Sequence, residues 1–256
     1  MSKNLVTYTP KGPLGLVWLN HAIHGNLVTP ELASDLREIC HHINQDPGIR
    51  VVILSGSGSK FSTGREAFDT NSNLSIDQWL RLHQVTMSIS GLKVPTIAAI
   101  NGDALDHGLE LCLACDLRVV SEDATLGFTD LRNGTIPWDG GTQRLPRVVG
   151  KSMAMQLLLT SELVNGRRAH DIGLANIVTT TNEVFTTAQH LGYQIATSAP
   201  IASQFTKLAI HKGMDLTLTQ GIAFEADLSF LLQTTTDRCE GIKSFLEKRN
   251  PKFTGR

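Results

Sequence analysis

Pro95-Thr-Ile-Ala-Ala-Ile-Asn-Gly-Asp-Ala-Leu-Asp-His-Gly-Leu-Glu-Leu-Cys-Leu-Ala-Cys-Asp-Leu-Arg-Val-Val120 decides the fold. Residues 95 to 100 read as a continuously apolar strand, the kind buried in a parallel sheet covered on both faces. Asn101-Gly102 turns the chain, residues 104 to 115 read as a helix, and Leu117 to Val120 as a further strand. Outward from this unit the pattern repeats. Leu14 to Asn20 and Val51 to Leu54 predict strands. Between them Thr29-Pro30-Glu31 opens a helix, with Thr29 as N-cap, Pro30 in the first turn and an apolar stripe of Leu32, Leu36, Ile39 and Ile43. Ser55 to Lys60 reads as a loop, and residues 75 to 90 as a helix with Ile76, Leu80 and Met87 inward. Gly134 to Gly141 is irregular. Two helical stretches follow it, then a last strand near residues 175 to 178, and from about residue 183 the pattern is almost all helical. Strands alternating with helices, then helices alone, give an α/β core with a helical C-terminal region. The expected division is residues 1–197 and 198–256.

Composition sets the outer bounds. The chain has 256 residues, 41% apolar and 18% charged, with a formal net charge of -1 from 23 Lys+Arg and 24 Asp+Glu. This is a globular composition with a sizeable core, and it lacks the basic excess of a nucleic-acid binder. No apolar run spans a bilayer and residues 1–5 do not resemble a signal peptide, so the expected setting is cytosolic, with no membrane partner. Cys40, Cys112, Cys115 and Cys239 are too few for a disulfide scaffold. Cys112 and Cys115 form a C-x-x-C inside an apolar helix and read as buried thiols rather than a redox or zinc pair. Cys40-His41-His42 cannot all face one ion from consecutive helical positions, and reads as a solvated face. No metal site is expected. Val149-Gly-Lys-Ser152 lacks the earlier glycine of a phosphate loop, and Gly56-Ser-Gly58 lacks the third glycine of a dinucleotide fingerprint.

Chemistry concentrates between Pro95 and Gly150. Glu110 is a carboxylate in an otherwise apolar helix, costly to bury unless paired or useful. Asp130 lies about twenty residues on, just before the loop Asn133-Gly-Thr-Ile-Pro-Trp-Asp-Gly-Gly141. Two carboxylates on separate elements can flank one water or one substrate carbon.

Pro95-Thr-Ile-Ala-Ala-Ile-Asn-Gly, Gly108-x-Glu110, Cys115-Asp116, Gly134-Thr-Ile-Pro137, Gly140-Gly-Thr-Gln-Arg-Leu145 and Val149-Gly-Lys-Ser-Met-Ala154 resemble the enoyl-CoA hydratase/isomerase (crotonase) superfamily. The likeness runs from Leu19-Asn20 to the segment ending at Lys248, Pro251 and Phe253. It implies a spiral of ββα units with a helical trimerisation region, a trimer or dimer of trimers, and an acyl-CoA thioester substrate with no other cofactor. The resemblance puts an oxyanion hole at the backbone N–H groups of Thr63 and His107, which would stabilise a developing enolate. At His107 this chain has Asp106-His107-Gly108 where the family has a glycine run. A non-glycine there is strained if its φ is positive. The His107 side chain is either an ordinary loop-to-helix histidine or a pocket group.

The same resemblance makes Glu110 and Asp130 the water-holding acids, the second one methylene shorter than the family's glutamate. Trp138 stands where dienoyl-CoA isomerases and an aryl-CoA dehalogenase carry a catalytic aspartate. Asp139, one residue later, is either a third acid or a turn residue. CoA is expected along Phe61, Ser62, Gly64, Arg65, Glu66 and Ala67, beside Gly108, with Arg65 or Lys60 on a CoA phosphate. Phe245 and Lys248 match residues that reach a neighbouring subunit's ligand. The implied activity is hydration of an enoyl- or dienoyl-CoA. Double-bond isomerisation, thioester or ring-opening hydrolysis, and a silent CoA-binding subunit are the alternatives.

Overall fold

The computed structural model describes residues 4–67 and 73–256. β1 (Val6–Lys11) and β2 (Leu14–Leu19) form an antiparallel hairpin, and α1 (Pro30–Ile43) follows. The Thr29 hydroxyl accepts from Leu32 N–H at 3.2 Å, the cap expected from the sequence. Leu32, Leu36 and Ile43 are buried, as is Cys40, while His41 and His42 face outward. The expected solvated face therefore holds for the histidines and fails for Cys40, because adjacent helical residues point about 100° apart. β3 (Val51–Gly56) and β4 (Lys60–Ser62) come next, then α2 (Ile76–His83) and α3 (Thr86–Ser90).

The single helix expected over residues 75 to 90 is thus broken at Gln84 and Val85, and Ile76 and Met87 are exposed rather than inward. The reason is tertiary: the N–H groups of Val85 and Thr86 bind a carboxylate from residue 139. β5 (Thr96–Ile100) leads not straight into a helix but through a short strand, β6 (Asp103–Leu105), into α4 (His107–Ala114). β7 (Leu117–Ser121), β8 (Thr125–Gly127), α5 (Gly141–Val149), α6 (Lys151–Thr160), β9 (Val164–Asn165), α7 (Gly166–Asp171) and β10 (Ile177–Thr179) complete the α/β part.

The strands form two sheets. One runs β1-β2-β3-β5-β7-β10 and is parallel from β2 onward; the other runs β4-β6-β8-β9. Each turn of the spiral places a strand in the first sheet and a short strand in the second. α8 (Val184–Ala196) covers one face of the first sheet, where Val184, Ala188 and Ala196 pack with Leu14, Ile53, Ile97 and Val119. A Cβ on Gly192 of α8 would meet Leu14 Cδ2 at 3.1 Å, so the helix lies close against the strands. The other face packs α1, α4 and the second sheet around Leu36, Phe61, Leu111 and Phe128. Cys112 and Cys115 are buried free thiols in that core, as expected.

The C-terminal helices are α9 (Pro200–Gly213), α10 (Leu218–Leu232) and α11 (Thr236–Leu246). Lys207 and His211 of α9 bind the Asp116 carboxylate at 2.8 and 2.9 Å and tie this region to the core. Among the described residues no helix is long and apolar enough to cross a membrane.

Candidate active site

Two loops meet at the start of α4. The first, residues 61 to 66, leaves β4; the second, residues 105 to 108, leaves β6. The strands pair in parallel, so their ends emerge side by side. Gly108 makes the close approach possible. A Cβ there would lie 2.3 Å from the Ser62 carbonyl oxygen. Gly64 has φ +118°, which suits glycine. The strained residue is Asp106 (φ +48°, ψ -119°), not His107 as the sequence reading allowed. Its carboxylate is held by the Thr129 N–H and, at 2.8 Å, by the Thr129 hydroxyl, which offsets the backbone cost.

This junction exposes unengaged backbone donors, but not at Thr63. The Thr63 N–H donates to the Gly25 carbonyl at 3.0 Å and is occupied within the fold. Arg65 N–H, two residues on, has no hydrogen-bond partner among the described residues, and neither has His107 N–H at the first position of α4. Phe61 and Ser62 are fully buried, with the Ser62 hydroxyl donating to the Asn26 carbonyl at 2.9 Å. Their side chains shape the loop from behind, whereas Glu66 and Ala67 are exposed.

Glu110 sits one turn into α4 with no exposed surface. Its Oε1 accepts from the N–H groups of Asp139 and Gly141 at 2.9 and 2.8 Å, while Oε2 is buried without a partner among the described residues. Burial pushes this carboxyl above its ordinary range, against the pull of the Gly141 N–H.

Asp130 begins a 3-10 turn (Asp130–Asn133) after β8 and is 4% exposed. Its Oδ1 pairs with Arg65 Nη2 at 3.1 Å; its Oδ2 is buried and unpartnered. Burial raises this carboxyl too, Arg65 opposes the rise, and the neighbouring Asp106 carboxylate adds to it. Arg65 is therefore turned inward, with its guanidinium carbon 5.3 Å from the Trp138 ring centre and 5.9 Å from that of Trp79. That removes it from the expected phosphate contact. Lys60, the other candidate, is paired with Asp103 and remains partly exposed.

Asp139, expected as a possible third acid, has one carboxylate oxygen tied to three donors instead. Its Oδ2 accepts from Val85 N–H and Thr86 N–H, both at 2.9 Å, and lies 3.0 Å from His107 Nε2. Burial alone would raise it, but the hydrogen bonds from His107, Val85 and Thr86 prevail and hold the carboxyl below its usual range. It is an anion fixed in place, not a proton carrier poised near neutrality. The His107 side chain that it binds is wholly buried and faces the Trp138 ring at 5.5 Å between centres. The sequence reading missed this histidine–aspartate pair; the simultaneous departures at positions 107 and 139 are the signal that could have found it.

The structure thus brings Arg65, His107, Gly108, Glu110, Asp130, Trp138 and Asp139 into one connected cluster. Phe245, 82% exposed, and Lys248 lie on the C-terminal region, and no bond among the described residues joins them to it. No group of three or more metal-binding side chains occurs among the described residues. The cluster offers the Arg65 and His107 N–H groups, both without a partner among the described residues, for a carbonyl oxygen, and two carboxylates for proton transfer.

The comparisons with known proteins give the family. The family model described as enoyl-CoA hydratase/isomerase matches residues 11–256. The (E)-benzylidenesuccinyl-CoA hydratase of Thauera aromatica is 36% identical over 98% of this chain and 99% of its own. The crotonyl-CoA hydratase of Syntrophomonas wolfei is 34% identical over 94% of each chain. The crystal structure of an enoyl-CoA hydratase from Bacillus anthracis superposes with a TM-score of 0.94 at 32% identity, covering 98% of this chain and 100% of that one. This chain belongs to the enoyl-CoA hydratase/isomerase family.

Proposed function

We propose that the chain is a hydratase-type lyase that adds water across the α,β-double bond of an enoyl- or dienoyl-CoA thioester. One observation carries the reading. Glu110 and Asp130 each have one oxygen fixed by a protein donor and the other buried and unpartnered. Such a pair of free oxygens suits a shared water. The thioester carbonyl would accept from Arg65 N–H and His107 N–H, a correction of the expected Thr63–His107 pair. As the water oxygen bonds to C3, one carboxylate takes its proton, and the negative charge moves onto the carbonyl as an enolate held by the two N–H groups. A carboxyl proton then goes to C2. Both carboxyls are shifted upward by burial, as proton donors at neutral pH require. Asp139 acts as a positioning group for His107 and the residue 84–86 segment. The hydratase names of the Thauera and Syntrophomonas relatives point the same way.

The Arg65–Asp130 ion pair favours a second reading, double-bond isomerisation by Glu110 alone. Incubation with a panel of enoyl-, dienoyl- and aromatic-acid CoA thioesters separates the two by product mass, water added for hydration and no change for isomerisation. Glu110→Gln and Asp130→Asn should each lower kcat by about 10² or more. Full activity in Asp130→Asn with a dead Glu110→Gln would leave isomerisation.

The helices after residue 197 expose Leu218, Ile222, Phe230, Phe245 and Leu246, large apolar side chains of the kind that second copies cover. We read this region, 198–256, as the trimer-forming part beside the core of residues 1–197, with Phe245 and Lys248 reaching a neighbouring subunit's ligand. Light scattering should give a trimer or a dimer of trimers; a monomer at micromolar concentration would contradict it.

A further inference from the structure

The hydration step uses the backbone of His107 and leaves its side chain, and that of Trp138, without a task. Both are built into the site. Asp139 is an ionised carboxylate that already accepts from Val85 and Thr86. It can only accept, so His107 Nε2 must donate to it. In the neutral ring Nδ1 is then a bare lone pair. That Nδ1 is buried and has no partner among the described residues, and the same is true of Trp138 Nε1, which can only donate. The two rings are neighbours, 5.5 Å between centres. A fold seldom leaves one acceptor and one donor buried and unmatched on neighbouring rings.

Their place relative to the chemistry follows from the chain. His107 carries one of the two unengaged N–H groups, and Trp138 precedes the residue whose N–H binds Glu110. On the seating proposed above, the acyl group runs beside these two rings. His107 and Glu110 have no exposed surface, whereas Trp138 and Arg65 are partly exposed.

We propose that His107 Nδ1 and Trp138 Nε1 are a recognition pair for a hydroxyl group carried by the acyl chain, so that the substrates are hydroxylated acyl-CoA thioesters. Of the common acyl substituents, an O–H group is the one that can both donate to Nδ1 and accept from Nε1. A carboxylate would face the Nδ1 lone pair with another acceptor, and a methyl group would leave both atoms unmatched. This hydroxyl is distinct from the one formed by hydration, which arises between Glu110 and Asp130. The proposal rests on the seating of the thioester at Arg65 N–H and His107 N–H.

The test is a binding measurement that needs no turnover. Saturated CoA esters bearing a hydroxyl on C4, C5 or C6 are titrated calorimetrically, each beside its unsubstituted partner. At least one hydroxylated ester should bind about tenfold tighter than its partner, since two neutral hydrogen bonds replace two unmatched groups. Trp138→Phe keeps the ring and removes the donor; His107→Phe keeps a ring and removes the acceptor. Each should bring that ratio within about threefold of one. Ratios near one throughout the wild-type series overturn the proposal, and mean that the pair holds only a buried water. A ratio that survives in both variants overturns it as well. If a variant fails to fold, the wild-type series decides alone. Loss of hydration with the binding ratio intact would refute the hydratase reading and leave this one standing.

Discussion

Gly108 is the position where the fold and the proposed chemistry depend on the same few atoms. An added methyl at residue 108 would lie 2.3 Å from the Ser62 carbonyl oxygen and 2.9 Å from both the Ser62 carbonyl carbon and Cβ. Those are mostly backbone atoms and cannot rotate away. Restoring an ordinary carbon–oxygen contact requires the two loops to part by about 1 Å, and overpacking of this kind costs about 1–3 kcal/mol. The displaced loop carries Arg65 N–H, and the fixed one carries His107 N–H. A misplacement of about 1 Å in a catalytic constellation is worth about 10² in rate. Gly108→Ala should therefore remain folded, melt at a lower temperature, and lose about 10² in kcat on the best substrate of the thioester panel. CoA-ester binding, measured separately by calorimetry, should weaken far less than the rate. A Gly108→Ala protein with near-wild-type kcat would refute the placement of the two donors across this contact.

Further outcomes follow from the same geometry. Burial raises the Glu110 carboxyl, so its contribution to stability is present below the unfolded value and is lost as pH rises through the folded one. Glu110→Gln, which keeps an acceptor for the Asp139 and Gly141 N–H groups, should gain stability relative to wild type as pH rises above the ordinary carboxyl range; denaturant melts showing no such gain would contradict it. Arg65→Met removes the cation that holds Asp130 down, so a limb of the pH–rate profile controlled by Asp130 should move to higher pH, and an unmoved profile would exclude Asp130 from proton transfer. Burial pushes the Cys40 and Cys115 thiols up to about 12, and Cys112 is buried too. A thiol reagent applied to the native protein should label no more than Cys239; rapid labelling of a second cysteine would show that the core opens.

The local sequence determined the parts of this protein that depend on near neighbours. Val51 to Leu54 and Thr96 to Ile100 are apolar on every residue, which suits a strand covered on both faces, and both lie in the parallel sheet. Thr29-Pro30 begins a helix because a hydroxyl can reach the N–H three residues on. The ordered run of short motifs was sufficient for the family. Strands of two or three residues, β4, β6, β8 and β9, left no periodicity to read, because they exist through pairing with one another. The break between α2 and α3 depends on a carboxylate more than fifty residues away.

The site divides in the same way. Glu110 and Asp130 were legible as carboxylates in apolar or glycine-rich surroundings, and the fold buries both. Which N–H groups are free was not legible, since that is settled by whether a distant carbonyl, Gly25 for Thr63, already takes the proton. Whether Asp139 is an acid or a strut was equally hidden, since its three donors come from residues 85, 86 and 107. Arg65 could be placed on a loop but not aimed. Its inward turn is set by the buried Asp130 charge and two tryptophan faces. Hydrophobic period and capping act over a few residues and are written in the chain. Hydrogen-bond partnership and burial of charge act through space, and only the tertiary structure decides them.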